Sequence, residues 1–171
     1  MTVRVLFVCH ANVCRSPMAE AIFRHLVRAA DLQSSFEIDS AGVMAMDGSP
    51  PHPLTVAACA AHGVVASGQA RQLFRDDLFS SDHVLLADAS NLRRLERMMN
   101  PSAFGPSPGT RATLRLLGEL DPTASRGRGL DIADPIGKDA EAFDRCYDRV
   151  RRCCEQLLTE LQGSTGSASP G

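Results

Sequence analysis

The sequence predicts an α/β fold, a three-layer sandwich in which a four-stranded parallel sheet is flanked by helices. Short apolar segments of strand length alternate along the chain with longer amphipathic segments, as in parallel sheets whose strands are connected by helices. Residues 5–8 form an unbroken apolar run, which is typical of a strand buried on both faces. Ligands bind such folds at the carboxyl ends of the strands, so we expect the functional site there.

The first half of the chain is predicted to contain two strands and two helices. After the strand at 5–8, the Ser-Pro pair at 16–17 predicts a helix over 17–30, because serine caps helices and proline suits their first turn. Residues 36–40 alternate between apolar and polar and predict the second strand. A second helix, over 53–62, is predicted to end before a glycine.

The second half is predicted to contain two strands and three helices, of which the last is long and amphipathic. Apolar runs indicate the strands, and helical spacing of apolar residues indicates the helices. The predicted elements are a short helix over 71–79, a strand over 83–87, a helix over 91–100, a strand over 113–117 and a helix over 138–161.

Glycine, proline and serine mark the segments without regular structure in this half. Residues 102–110 and 121–129 are rich in these residue types and predict loops. Residues 163–171 are a low-complexity tail that we expect to be disordered. A length of 171 residues fits one domain with a real core, so we expect a single domain over 1–162 followed by that tail.

Composition and charge exclude several classes of protein. A net charge of −2 argues against a nucleic-acid partner. No apolar run approaches the length needed to span a bilayer, and the start of the chain lacks the pattern of a signal peptide. We therefore expect a cytoplasmic monomer without a membrane partner. Its six cysteines are then thiols, and their spacing predicts no metal site.

A loop between the first strand and the first helix carries a thiol at one end and a guanidinium at the other. Cys9 begins this loop and Arg15 ends it. Backbone N–H groups in such loops form an anion-binding nest, and the helix N-terminus adds positive charge that stabilises a thiolate. Arg15 can hold two oxygens of a tetrahedral anion, and Ser16 can donate to the thiolate. The alternative is a buried structural cysteine near an arginine at a helix start.

Residues 8–17, Val-Cys-His-Ala-Asn-Val-Cys-Arg-Ser-Pro, resemble the signature V-C-x-G-N-x-C-R-S-P of the low-molecular-weight protein tyrosine phosphatases. The Ser-Ala-Gly at 40–42 is similar to another family motif, and the resemblance runs from about residue 3 to residue 161. It implies a phosphotyrosine phosphatase I-like fold and hydrolysis of phosphotyrosine in protein substrates through a cysteinyl-phosphate, with no cofactor. It also implies a phosphate-binding loop of His10, Ala11, Asn12, Val13, Cys14, Arg15 and Ser16.

One residue of the loop departs from the family. Ala11 stands where the family usually has glycine. If the backbone there requires a positive φ, alanine costs about 1 kcal/mol.

The reaction needs an acid that protonates the departing oxygen, and a positioned carboxylic acid supplies roughly 10²–10⁴-fold. Asp-Pro pairs occur at both 121–122 and 134–135, and most such pairs are turns. The resemblance selects Asp134, because the family has a D-P motif just upstream of its last helix. Asp131 is the alternative acid.

Three further residues around the loop have predicted supporting roles. By the resemblance, Asn12 and Ser40 brace the loop, although ordinary loop capping is the alternative. Cys14 lies in the same small loop as Cys9, so the two thiols can form a reversible disulfide on oxidation. A buried, small apolar side chain is the alternative role of Cys14.

The entrance to the site differs most from the family. Family members that act on phosphotyrosine carry aromatic residues at two rim positions, which here are Met46 and Ile136. An aliphatic slot still buries a phenyl ring but loses stacking of about 1 kcal/mol. The protein-arginine phosphatases of the same family have threonine at the position of Val13. The valine of this chain resembles the tyrosine-directed members instead. Gly137 after the rim residue favours the arginine phosphatases slightly.

Two other functions compete with the phosphatase. An arsenate reductase of the same scaffold would need two further cysteines around residues 82–100, and that segment has none. A phosphate-binding module with a degenerate site is suggested by Ala11, by the non-aromatic rim and by Gly68, where the family often has histidine. The presence of nucleophile, arginine, serine and acid together argues against it.

Overall fold

A computed structural model of the chain describes residues 1–99, 112–125 and 129–165. Its sheet has four strands in the order β2-β1-β3-β4, and every neighbouring pair is parallel. The strands are β1 (Val3–Cys9), β2 (Phe36–Gly42), β3 (His83–Leu86) and β4 (Thr113–Leu116). The predicted four-stranded parallel sheet is therefore confirmed, with each strand within a few residues of its expected position.

Helices cover both faces of this sheet. They are α1 (Arg15–Ala29), α2 (Pro53–Ala60), α3 (Asp77–Ser80), α4 (Ala89–Met99) and α5 (Ala140–Thr165). Short 3-10 turns lie at Gln33–Ser35 and Leu117–Leu120. Within the described parts of the chain, no helix is both long and apolar enough to cross a bilayer.

The two faces of the sheet carry separate apolar cores because successive side chains of a strand point to opposite sides. Phe7 of β1 packs on the α1 and α5 face, in a core with Phe23, Phe143 and Tyr147. Leu6, next to Phe7, belongs to the core on the α3 and α4 face. This burial on both sides explains the unbroken apolar run of β1.

Two predicted helices have different bounds in the structure. The short helix predicted over 71–79 is wrong in its first half. Residue Gln72 forms a parallel bridge to Gly42 at the edge of β2, so this part of the chain is extended. Only Asp77–Ser80 is helical, and the Asp77 carboxylate accepts from the Phe74 N–H at 2.8 Å. The helix predicted over 91–100 begins earlier, at Ala89, and residue 100 lies outside the described residues.

The last helix begins and ends later than the predicted 138–161. It continues through Thr165, so residues 163–165 of the predicted disordered tail are helical. The remaining tail residues, the predicted loop over 102–110 and residues 126–128 of the other predicted loop lie outside the described residues. The buried face of α5 follows the helical spacing of the sequence, with Phe143, Tyr147, Val150, Cys154 and Leu157 in the core.

The parallel strands place three connections at the same edge of the sheet. β1 leads into the loop of residues 10–14, β2 ends at Gly42, and β3 leads through Ala87 and Asp88 into α4. A fourth segment joins them, because the Ile132 N–H donates to the Ala87 carbonyl at 2.8 Å. The residues expected to act in catalysis therefore meet at the carboxyl ends of the strands.

Candidate active site

The loop of residues 10–14 offers unoccupied backbone donors to a ligand. Among the described residues, none accepts a hydrogen bond from the backbone N–H groups of this loop. Its carbonyl groups, in contrast, are used: those of His10 and Val13 accept from Met44 and His52, both at 2.8 Å. Free N–H groups just before a helix N-terminus are what an anion-binding nest requires.

The backbone conformation of this loop depends on Asn12 and not on Ala11. Asn12 has a φ of +58°, and Ala11 is not among the residues with positive φ. Asparagine tolerates this left-handed conformation better than most residues, because its short side chain can bond nearby groups. The family's usual glycine at position 11 is therefore not required for a positive φ here, and the expected cost of Ala11 does not arise.

The side chain of Asn12 holds three segments together. Its amide nitrogen donates to Oγ of Ser16 at 2.8 Å and to Oγ of Ser40 at 2.9 Å, and its amide oxygen accepts from the Arg71 N–H at 2.9 Å. Ser40 in turn donates to the carboxylate of Glu20 at 2.6 Å. Asn12, Ser16 and Ser40 are all buried, so these bonds fix the loop against α1 and β2.

Ser16 lies beside the thiol at the start of the loop. Its Oγ is 2.9 Å from Sγ of Cys9, which is buried at 3% exposure. The Ser16 oxygen accepts from the Asn12 amide, and its hydroxyl can donate to the sulfur or to the Ala41 carbonyl, which lies 3.5 Å away.

The guanidinium of Arg15 is buried at 3% exposure and held from two sides. Its Nη1 donates to the Asp88 carboxylate at 2.7 Å and to the Ile132 carbonyl at 2.9 Å, and its Nη2 lies 3.2 Å from the Asp134 carboxylate. Burial acts to lower the pKa of Arg15, but the hydrogen bond to Asp88 and the surrounding negative charges raise it. Its Nε is buried and has no protein partner in the described residues. A donor of this kind is available to an anion in the loop.

Asp88 orients Arg15 and begins α4 at the same time. Its second oxygen, Oδ1, accepts from the Ser90 hydroxyl at 2.7 Å and from the Asn91 N–H at 2.9 Å. Burial acts to raise the pKa of Asp88, but these hydrogen bonds and Arg15 lower it. Asp88 is therefore a carboxylate at neutral pH, which keeps Arg15 in place.

Asp134 lies on the short segment that precedes α5. Its side chain is 39% exposed, so solvent or a leaving group can reach it. Oδ1 accepts from the Ile136 N–H at 3.2 Å, and the other oxygen contacts Arg15. The structure thus brings Asp134 to the arginine of the loop, which is the position that an acid for this site needs.

Asp131, the alternative acid, has a different set of contacts. Its Oδ1 accepts from the Ala89 N–H at 2.8 Å, at the first turn of α4, and its backbone carbonyl accepts from Arg149 at 2.7 Å. These contacts attach the segment before α5 to the helix that follows β3. Asp131 acts here as a structural anchor for the segment that carries Asp134.

Cys14, the second thiol of the loop, is buried and protonated. Burial, followed by the charge of Asp134, raises the pKa of this thiol to about 12. The six cysteines of the chain are all free thiols. Among the described residues, no cluster of His, Cys, Asp and Glu could hold a metal ion.

The two residues predicted at the rim lie on different segments and are exposed. Met46 is 78% exposed on the loop after β2, and Ile136 is 50% exposed two residues beyond Asp134. His10 is exposed at the start of the anion loop, and Val13 is half-buried. Met46 and Ile136 are both aliphatic, and their place at the rim stays a prediction.

A cavity of about 500 Å³ opens at this edge of the sheet. Its walls combine the start of the anion loop, the beginning of α4 and the segment before α5. The lining residues include His10, Arg15, Asp88, Ser90, Arg93, Asp131 and Asp134. The cavity thus opens beside Arg15 and Asp134.

Several residues of the site were missed from the sequence. Asp88 directly follows a buried strand and precedes a helix. An aspartate at such a place caps the helix and lies at the carboxyl edge of the sheet, so this pattern could have identified Asp88 as a site residue. Glu20, the backbone N–H of Arg71 and the carbonyl of Ile132 carry no signal of their own, since only the tertiary fold brings them to the loop.

Comparison with known proteins shows the family of the chain. Residues 4–166 match the model of the family "Low molecular weight phosphotyrosine protein phosphatase". The phosphatase of that name from pig is 36% identical over 95% of this chain and 98% of its own. A low molecular weight protein-tyrosine-phosphatase from Streptomyces coelicolor is 39% identical, with 95% of each chain covered.

Solved structures of similar proteins have the same architecture. The crystal structure of a Drosophila arginine phosphatase superposes with a TM-score of 0.81 at 31% identity and covers 92% of this chain and 96% of that one. Sequence and structure comparisons thus agree over almost the whole chain. The chain belongs to the low molecular weight phosphotyrosine protein phosphatase family.

Proposed function

We propose that this protein hydrolyses phosphotyrosine in protein substrates, with Cys9 as nucleophile, Arg15 and the loop as phosphate-binding groups and Asp134 as acid and base. The observation that carries the proposal is the position of Cys9. Its sulfur lies 2.9 Å from the Ser16 hydroxyl, in a loop of free N–H donors that Arg15 closes. The family to which the chain belongs supports the same chemistry.

In the first step, the sulfur of Cys9 attacks phosphorus in line with the departing phenol oxygen. The S–P bond forms as the P–O bond breaks, and Asp134 gives its proton to the phenolate. The charge on the three equatorial oxygens is stabilised by the loop N–H groups and by Arg15, whose Nε has no protein partner in the described residues.

In the second step, water attacks the cysteinyl-phosphate. Asp134, now a carboxylate, takes a proton from the water, and the S–P bond breaks to release phosphate and the thiolate. The Ser16 hydroxyl donates to the departing sulfur and so makes it a better leaving group. Both steps proceed with groups of this chain alone.

A protein-arginine phosphatase is the second candidate. The specific observation in its favour is the similarity to the Drosophila arginine phosphatase, which matches almost the whole chain. The aliphatic rim at Met46 and Ile136 also lacks the aromatic stacking that selects a phenyl ring. Val13 in place of threonine favours phosphotyrosine.

We infer a monomer from the groups of the site and a cytoplasmic location from the thiols. Every group that the mechanism uses comes from one chain, which supports a monomer as the active form. Six free thiols suit a reducing compartment such as the cytoplasm.

A panel of phosphopeptides tests the function. Peptides of one sequence that carry phosphotyrosine, phosphoarginine or phosphoserine should be assayed side by side for phosphate release. We expect the highest kcat/KM for phosphotyrosine and the lowest for phosphoserine. A higher kcat/KM for phosphoarginine would assign the protein to the second candidate, and release from none of them would reject both.

A further inference from the structure

The first half of α4 forms one wall of the active-site cavity and presents an arginine there. Arg93 lines the cavity together with Arg15, Ser90 and the segment that carries Asp134. The anion loop and Asp134 account for the phosphoryl group and its leaving oxygen. None of the catalytic steps uses Arg93.

Arg93 is exposed and has no ion-pair partner among the described residues. This distinguishes it from Arg15, Arg71 and Arg149, which are all paired with carboxylates. A guanidinium without a partner keeps its five N–H donors for a ligand. Arg93 also lies in the first half of its helix, where a positive charge gains nothing from the helix dipole.

A second arginine follows Arg93 and reaches the segment after β2. Arg94 is exposed, and its Nη2 lies 2.7 Å from Sδ of Met44. Met44 in turn donates its N–H to the carbonyl of His10, the first residue of the anion loop and a lining residue of the cavity. Arg93 therefore lines the cavity, and Arg94 contacts a residue that is bonded to its wall.

The carboxylates of the cavity have partners other than Arg93. Asp88 and Asp134 both contact Arg15, and Asp131 accepts from the Ala89 N–H at the start of α4. Among the described residues, no ion pair joins any of these carboxylates to Arg93 or Arg94. A carboxylate on the incoming substrate is the complementary group, since arginine binds carboxylates through two parallel hydrogen bonds.

We propose that Arg93, assisted by Arg94, selects protein substrates that carry aspartate or glutamate next to the phosphorylated residue. This proposal rests on the proposed phosphatase function and names a class of substrate for the same site. Arg93 binds the flanking carboxylate while the phosphoryl group lies on the anion loop. The phosphorylated residue and its neighbour then share the cavity at the carboxyl edge of the sheet.

Two phosphotyrosine peptides test this preference, one with glutamate and one with glutamine on either side of the phosphorylated residue. We expect the unaltered protein to have a kcat/KM roughly three- to tenfold higher for the glutamate peptide at low salt. The preference should decrease at high ionic strength, because an exposed ion pair is screened. Arg93→Ala should make kcat/KM equal for the two peptides, and Arg93→Glu should make kcat/KM higher for the glutamine peptide. The ratio of the two peptides cancels any effect of a substitution on the chemistry itself.

Arg28→Ala is the matched control, since Arg28 is an exposed arginine in the last turn of α1, at the opposite edge of the sheet. It removes the same charge and should keep the preference for glutamate. Equal rates on both peptides in the unaltered protein, or a ratio that Arg93→Ala leaves intact, would overturn the proposal. The unaltered protein should also be assayed on an aryl phosphate. Turnover of the aryl phosphate without a preference for glutamate contradicts this inference alone. No turnover at all contradicts the proposed function, and this inference with it.

Discussion

The guanidinium of Arg15 lies 3.2 Å from the carboxylate of Asp134, a residue 119 positions further along the chain. The cation that would bind the phosphoryl group and the proposed acid are therefore in contact before a substrate arrives. Their contact depends on the Ile132 carbonyl, which also accepts from Arg15 and so fixes the segment that leads to Asp134.

Substitution of Asp134 by alanine should slow substrates with poor leaving groups most. The acid supplies a proton that a phenolate of low basicity hardly needs, so we expect kcat to fall by roughly 10²–10⁴ for phenyl phosphate and far less for p-nitrophenyl phosphate. A series of aryl phosphates gives the dependence of kcat on leaving-group basicity. Asp131→Ala is the control, and its dependence should match that of the unaltered protein. Equal losses for all leaving groups in Asp134→Ala would remove Asp134 from the acid role.

Substitution of Cys9 by serine should abolish turnover and keep anion binding. A serine hydroxyl remains protonated where a thiol ionises, so it cannot attack phosphorus at a useful rate. The loop N–H groups and Arg15 are unchanged, and phosphate or tungstate should still bind in a calorimetric titration. A Cys9→Ser variant that retains most of its rate would disprove the nucleophile assignment.

Gly42 should be indispensable for the geometry of the anion loop. A Cβ at this position would lie 2.8 Å from the His10 carbonyl oxygen and 2.9 Å from the Asn12 nitrogen, both backbone atoms. Gly42→Ala must therefore displace the loop, and we expect kcat/KM for p-nitrophenyl phosphate to fall at least tenfold. Gly163→Ala is the matched control, because a Cβ there meets nothing within 4 Å and the site is far away. A fully active Gly42→Ala variant would show that the loop tolerates the shift.

The formation of a disulfide between Cys9 and Cys14 after oxidation should depend steeply on pH. Burial raises the pKa of the Cys14 thiol to about 12, and only its thiolate can attack a sulfenic acid on Cys9. Below that pKa the thiolate fraction rises tenfold for each pH unit. We expect the rate of disulfide closure, followed by mass spectrometry after a peroxide pulse, to rise about tenfold for each pH unit, or roughly a hundredfold between pH 7 and pH 9. A rate independent of pH would mean that Cys14 does not close the bond.

Asp121 should stabilise the fold in a pH-dependent manner. Its side chain is 3% exposed and pairs with Arg149 and Arg152, both at 3.1 Å. Burial acts to raise the pKa of Asp121, but the hydrogen bonds from Arg152 and Thr123 outweigh it and hold this pKa well below its usual range. The stabilisation is therefore complete above the unfolded-state pKa of about 3.9 and is lost as the pH falls further below it.

Urea unfolding of Asp121→Asn measures this contribution. We expect a loss of roughly 2–4 kcal/mol at pH 7, because two arginines lose a buried partner. The difference from the unaltered protein should shrink below about pH 4, because the unfolded chain then binds a proton at Asp121 that the native state does not. A difference that stays constant down to pH 2 would contradict the electrostatic explanation.

The succession of strands and helices along the chain could be predicted because burial leaves a regular pattern in the sequence. β1 is apolar at every position from 5 to 8 since both faces of the central strand are covered, and α5 repeats its apolar residues with helical spacing. The prediction of a helix over 71–79 was wrong in its first half, because these residues bond to the edge of β2. Such an edge contact depends on a partner that is distant in sequence.

The site could be predicted where local chemistry defines it and not where the fold does. Cys9, Arg15 and Ser16 lie within one stretch of eight residues, at the end of β1 and the start of α1, so their spacing alone predicted a phosphate site. Asp88 contacts Arg15 only because β3 is the neighbour of β1 in the sheet. No local pattern in the sequence gives the order of the strands across the sheet. The positive φ at Asn12 could not be predicted either, because the hydrogen bonds that hold Asn12 come in part from distant segments.

The interior position of β1 has a consequence for the newly synthesised protein. The strand that leads to Cys9, the proposed nucleophile, is made before its neighbours on both sides, β2 and β3. Asp134 is translated later still, after β4, so the nascent chain cannot assemble the proposed site until Asp134 has emerged. Such long-range parallel pairing is slow to form, and the thiol of Cys9 therefore passes through a period in which only solvent or a chaperone surrounds it.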